Sequence, residues 1–156
     1  MNILVFAKRV AATQEEELRI RDEGAAVDLS KVPFKINDWD NYSVEEAVRI
    51  VEKTGGTVTA ISIGDAESDE VLRRAIAMGA RDGFLVSSGE ICHDPGVRSR
   101  LIQNFIGKGN IPFDGIFTGA QSEDDQFGCV GGILGAWLGL PYSSMVIGID
   151  AVEKDH

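Results

Sequence analysis

Cysteine and histidine are scarce in this chain, with two of each among 156 residues. Cys92 and Cys129 stand in unrelated local contexts and make no framework. With no signal-peptide pattern either, a reducing cytoplasm is the expected setting. His93 lies in a connecting stretch without a neighbouring metal ligand, and His156 is the last residue. No Ser/His/Asp or Cys/His set can be assembled from them. Positive charge is also short: 15 Lys and Arg face 25 Asp and Glu, a net charge of -10. Binding along a phosphate backbone or docking on an anionic membrane both need the opposite balance. A single bound nucleotide is still permitted, because N–H groups at a helix start can hold phosphate. No apolar run approaches the ~18 residues of a membrane span. GxxxxGK[ST] and GxGxxG are absent, as are internal repeats and low-complexity linkers.

What is present is an ordinary globular composition, 44% apolar and 26% charged, of a length that suits one domain over 1–156. Ile3 to Ala7, Thr57 to Ile63, Gly83 to Ser87, Gly115 to Gly119 and Ser143 to Ile149 are short apolar or β-branched runs and predict strands. Between them lie helical patterns. Asp38 to Lys53 carries Val44, Ala47, Val48 and Val51 on one stripe. Ser68 to Met78 carries Val71, Leu72, Ala75 and Ile76. A third helix opens at Asp94-Pro95, carries Val97, Leu101, Ile102 and Phe105, and ends at Gly107. A fourth covers Gly128 to Leu138. Leu18 to Arg21 and Ala25 to Asp28 flank Asp22-Glu23-Gly24 and predict a small hairpin. Alternating strands and helices predict an α/β fold: a parallel sheet of about five strands, helices on both faces, and the hairpin as an excursion.

Ligands in such sheets sit outside the carboxyl ends of the strands. The loops after Ala7, Ile63 and Thr118 are therefore the candidates. The last reads Gly119-Ala120-Gln121-Ser122-Glu123-Asp124-Asp125-Gln126-Phe127-Gly128-Cys129-Val130 and runs into a helix start. Its small residues fit a phosphate cradle or tight packing of helix on sheet. Asp124 and Asp125 read more readily as solvated or helix-capping acids than as catalytic carboxylates. Cys129 reads as a small packed residue rather than a reactive thiol. Trp39 and Trp137 read as core or interface anchors.

Several segments together resemble the β (small) subunit of electron transfer flavoproteins. Ala7-Lys8-Arg9-Val10 is similar to that family's A/V-K-x-V strand ending. Asn37-Asp38-Trp39-Asp40-Asn41-Tyr42-Ser43-Val44-Glu45-Glu46-Ala47 resembles N-P-F-D-x-x-A-V-E-E-A, with Asp38 for Pro and Trp39 for Phe. Val58 to Gly64 resembles V-T-A-V-S-x-G. Leu72 to Asp82 is close to L-R-x-A-L-A-M-G-A-D-R, and Thr118 to Asp125 resembles T-G-K-Q-A-I-D-D. The motifs run in order along nearly the whole chain.

The resemblance implies a Rossmann-like (adenine nucleotide alpha hydrolase-like) domain. It would bind AMP, or FAD in electron-bifurcating members, beside an α subunit that carries the main FAD. It implies an electron-carrier subunit that is not catalytic alone, working with donor dehydrogenases and a quinone or similar acceptor system. The matching cofactor-binding positions are Ala7, Asn37, Asp38, Trp39, Asp40, Ile63 and every residue from Gly119 to Val130. Ala120 replaces the family's Lys, and Cys129-Val130 its Gln-Thr or Gln-Val, which shifts phosphate binding toward backbone N–H groups. Typical members are longer, so the expectation is a chain truncated before the carboxyl-terminal region that contacts the α subunit and partner dehydrogenases. A stand-alone adenine-nucleotide domain of the universal-stress-protein type is the alternative, although its G-x₂-G-x₉-G-[ST] is not seen. The S-G-G-x-D-S loop of PP-loop enzymes is missing as well. A structural α/β subunit with an empty pocket is the bland alternative.

Overall fold

A computed structural model describes residues 1–150 except 15, 22, 23, 25 and 89–92. Its centre is a four-stranded parallel sheet of β1 (Asn2–Phe6), β6 (Thr57–Gly64), β7 (Asp82–Ser87) and β8 (Gly115–Phe117), in the order β7-β6-β1-β8. The chain builds outward from β1 through β6 to β7, then returns to place β8 on the other side of β1. Strand order therefore reverses at β1, which opens a crevice beyond its carboxyl end.

Alternation along the strands divides the core in two. Ile3 and Val5 of β1, with Val58 and Ala60 of β6, pack under α1 (Asp38–Thr54) and α2 (Asp69–Met78) through Val44, Ala47, Ile50, Leu72 and Ala75. Leu4, Phe6 and Ile61 point the other way, toward Ile102 and Ile106 of α3 (Pro95–Gly109) and Leu134 of α4 (Val130–Leu138). Both faces are covered, which explains the continuous apolar runs of β1 and β6. Two residues expected on apolar faces, Ile76 and Val97, are instead exposed, because each lies at the margin of its stripe.

Gly79 ends α2 at φ 124°, a conformation that favours glycine, and a Cβ there would press on Val48. The third helix passes Gly107 and stops at Asn110, in left-handed geometry. The hairpin is present as β3 (Arg19–Arg21) antiparallel to β4 (Ala26–Asp28), with Gly24 at φ 88°. Asp22 and Glu23 of its expected turn, Ala25 at the start of its expected second strand, and Cys92 lie outside the described residues. A second antiparallel pair, β2 (Arg9–Ala11) with β5 (Phe34–Ile36), closes the base of this excursion.

The expected strand at Ser143 to Ile149 does not form, so the parallel sheet has four strands where about five were expected. Met145 adopts φ 53°, outside the β region, and interrupts the extended run. Met145, Val146 and Ile147 are exposed, while Ile149 alone packs on the core.

Candidate functional site

The crevice predicted by the strand reversal is a cleft. Phe6 and Ala7 close it from β1, Ile61 and Ile63 from β6, and Thr118 with the following loop from β8. Pro95, Arg98 and Ile102 of α3 supply the opposite wall, and Cys129-Val130 bring the start of α4 to it. Apolar side chains cover the strand ends. The loop side is polar.

That loop is stitched to the start of α1. Asn37 stands at the N-cap of α1 but makes no side-chain cap. Its Nδ2 donates to Gln121 O at 2.9 Å, and its Oδ1 accepts from Glu123 N at 3.1 Å. Asp38 N donates to Glu123 Oε1 at 3.0 Å. Lys35 Nζ bridges Asp38 and Glu123 at 2.9 and 3.1 Å. Asn37 is 1% exposed, so its hydrogen bonds are shielded from competing water.

Lys8, just after β1, reaches across to the same loop. Its Nζ donates to Ser122 Oγ at 3.0 Å, to Asp124 Oδ1, and to Asp125 Oδ2 at 2.8 Å. Ser122 Oγ donates to Asp125 Oδ1 at 2.7 Å, and Phe127 N donates to the same oxygen at 3.1 Å. Arg98 stands 3.7 Å from Asp125 Oδ2. Burial alone would raise both aspartates. Hydrogen bonds from Lys8 and Ser122 outweigh it, so Asp124 lies below its ordinary range and Asp125 is pushed down to about 2. Asp125 is a half-buried counter-ion of Lys8, and Asp124, which stays exposed, pairs with Lys8 from the rim.

Asp40, by contrast, is a buried acid. Its Oδ2 accepts from Lys8 N at 2.8 Å, and Asn37 and Gly119 stand close enough to favour its ionised form. Burial outweighs them and pushes it up to about 7. Gly119 is required beside it, since a Cβ would overlap Asp40 Oδ1.

Of the positions singled out in the sequence, the cleft gathers Ala7, Asn37, Asp40, Ile63, Gly119 to Ser122, Asp125 and Phe127 to Val130. Asp38, Trp39, Glu123, Asp124 and Gln126 are not on its wall. Asp38, Glu123 and Asp124 act from behind through the bonds above. Trp39 is exposed and meets Tyr42 edge-on, and Trp137 is exposed under the Arg100 guanidinium, so neither belongs to the core. Cys129 is the N-cap of α4, half-buried on the cleft wall. The residues not anticipated are Phe6, Lys8, Ile61, Pro95, Arg98, Ile102 and Thr118. One signal for Arg98 was available: it lies four positions before Ile102, on the same helix face. His93 is exposed and outside the cleft. No metal-holding cluster of His, Cys, Asp or Glu occurs among the described residues, and none of their helices is long and apolar enough to cross a membrane.

A doubly covered parallel sheet with a cleft at its strand reversal defines a Rossmann-like α/β protein, whose cleft lies where such sheets commonly take ligands. The Electron transfer flavoprotein domain model matches residues 25–155, and the chain belongs to that family. It is 34% identical over 159 residues to the electron transfer flavoprotein subunit beta of Methylophilus methylotrophus, covering all of this chain and 59% of that protein. The corresponding subunit of Thermoanaerobacterium thermosaccharolyticum is 35% identical over 156 residues, 99% of this chain and 58% of the relative. The acryloyl-CoA reductase electron transfer subunit gamma of Anaerotignum propionicum is 32% identical over 151 residues, 96% and 56% respectively. The chain thus spans less than two thirds of the length of these curated relatives.

Proposed function

We propose that the cleft holds an adenine nucleotide, AMP or a second FAD. In this reading the chain serves as the small subunit of an electron transfer flavoprotein and is not catalytic alone. An α subunit supplies the main FAD, dehydrogenases supply electrons, and a quinone or similar system accepts them. The base rests against Ala7 and Ile63, and the phosphate lies near the backbone from Asp125 to Gly131. One observation carries the reading. In a chain with an acidic surplus, the cations Lys8 and Arg98 converge on one cleft, between apolar strand ends and a helix start. Apolar surface suits a base, and cations with a helix N-terminus suit a phosphate. Bound phosphate would share Lys8 with Asp124 and Asp125.

Gly131 supplies the test. A Cβ there would stand 2.5 Å from Thr118 Oγ1 and 3.1 Å from the Tyr142 ring, so a larger side chain must displace Thr118 on the cleft wall. In titration calorimetry, Gly131→Val should bind AMP at least about tenfold more weakly than the parent, a loss of about 1.4 kcal/mol. Equal affinity of the two proteins would remove AMP from this cleft.

A further inference from the structure

Asp40 sits in the first turn of α1, is 6% exposed, and stands against Lys8 and Gly119 on the cleft's polar side. The N–H of Lys8, at the carboxyl end of β1, donates to its Oδ2 at 2.8 Å. Gly119, just past β8, packs directly against its Oδ1, and both Gly119 and Asn37 favour the ionised carboxylate. Asn37 in turn grips Gln121 and Glu123. One carboxylate thus ties the end of β1 to α1 by a hydrogen bond and holds the start of the loop after β8 by close packing, across the point where strand order reverses. We propose that Asp40 is a positioning residue: its ionised carboxylate pins the ends of β1 and β8 to α1, setting the spacing of the cleft walls and the placement of Lys8, so that nucleotide affinity rises as Asp40 ionises.

Chemistry gives the direction. A carboxylate only accepts, and Lys8, Asn37 and Gly119 all favour that ionised form. A protonated carboxyl carries an O–H donor of its own, which competes with the N–H groups around it. Burial has moved this exchange up to about 7, far from the ordinary carboxylate range. The charged groups around it are few. Lys8 is the cation that acts on it from the β1 end. Asp124 and Asp125 stand behind Lys8 on the loop, with Arg98 beside Asp125 from α3. Asp38 and Glu123 face Lys35 on the far side of Asn37. Neither Asp124 nor Asp125 titrates near neutrality, because both are lowered.

This inference rests on the cleft being the nucleotide site, and the experiment separates the two. AMP is titrated into the purified protein and into Asp40→Asn from about pH 6 to about pH 8, and the backbone amides of Lys8 and Gly119 are followed by NMR over the same range without nucleotide. A proton that blocks the competent form of a group titrating near 7 weakens binding about tenfold per pH unit below it. The parent should therefore bind AMP about tenfold more weakly at about pH 6 than at about pH 8. The AMP phosphate itself titrates near ~6. That contribution is common to both proteins and cancels in the comparison with Asp40→Asn, which should bind weakly with only the phosphate's pH dependence. The Lys8 and Gly119 signals should shift together with a midpoint near neutrality. Amide titration without AMP binding upholds the pin and removes the nucleotide reading. AMP binding with both amides silent, or with Asp40→Asn matching the parent in affinity and pH profile, overturns the pin while leaving the site intact.

Discussion

Lys8 holds two carboxylates that are neighbours in sequence and would otherwise repel each other. Its side chain is 14% exposed, so these contacts are only partly screened by water. Hydrogen bonds to a charged group contribute about 1.5–3 kcal/mol net, and Lys8→Met should lower stability by about that amount near neutral pH. The pH profile has a definite sign. Asp124 and Asp125 are depressed in the folded chain, so their contribution is present above the ordinary carboxylate range near ~4 and is lost as pH falls toward about 2. In Lys8→Met the depression is relieved, so the loss of stability on acidification should be smaller than in the parent, as read from urea midpoints across an acid series. Asp40 runs the other way. Its folded value is raised, so the folded chain keeps a proton that the unfolded chain has released, and stability falls as pH climbs through that window toward about 7. Ionised Asp40 therefore suits the cleft while costing the fold. A depressed and a raised aspartate on opposite sides of one lysine are a pattern expected of sites rather than of plain structural surface.

Among the elements, α3 shows how a local signal places a distant wall. Asp94 Oδ1 accepts from Val97 N at 2.8 Å, with Pro95 in the first turn, as the Asp-Pro pair predicts. This cap orients the turn that carries Arg98 into the cleft. Asp94→Ala should cost about 1 kcal/mol and speed amide exchange in the first turn of α3, while the centre of β1 exchanges as before. A uniform change across both would show that the cap governs the whole fold instead. Capping, period and turn chemistry were legible in the sequence because each is written in a few adjacent residues. The three-residue strands β2 and β5 were not, since Arg9–Ala11 has no pattern of its own and pairs with Phe34–Ile36 only after the excursion closes. The stretch from Ser143 to Ile149 misled for the converse reason: its residues favour a strand, but a strand also needs a partner ladder and negative φ throughout. The cleft was half legible. Strand ends and the loop after Thr118 could be located from topology, whereas the links from Lys8 to Asp125 and from Asn37 to Glu123 join residues distant in sequence and exist only once the sheet is assembled.

At the scale of the whole molecule, the described residues shape one cleft at the strand reversal. Among the described residues no acids, cysteines or histidines gather as a metal site, and Cys129 is a free thiol. Under the proposed function the electrons reside on FAD held mainly by an α subunit. Two surface features are compatible with a partner of that kind. A net charge of -10 favours rapid association with a basic patch, although charge alone would serve solubility equally well. The exposed apolar run at Met145, Val146 and Ile147, beside half-covered Leu140 and Tyr142, leaves a sizeable area of hydrocarbon in water. Such area is a common mark of an interface. The expected outcome is that the chain expressed alone is colourless and passes no electrons from a dehydrogenase to an acceptor. Co-expression with an α subunit should give a yellow heterodimer that a dehydrogenase reduces, with flavin and AMP counted per heterodimer distinguishing AMP from a second FAD in the cleft. Amide exchange at 140–147 should slow in that heterodimer relative to the chain alone. Stoichiometric flavin on the isolated chain, together with electron transfer unaided by any second subunit, would falsify the small-subunit role at its centre, because the redox group would then belong to this cleft rather than to a partner.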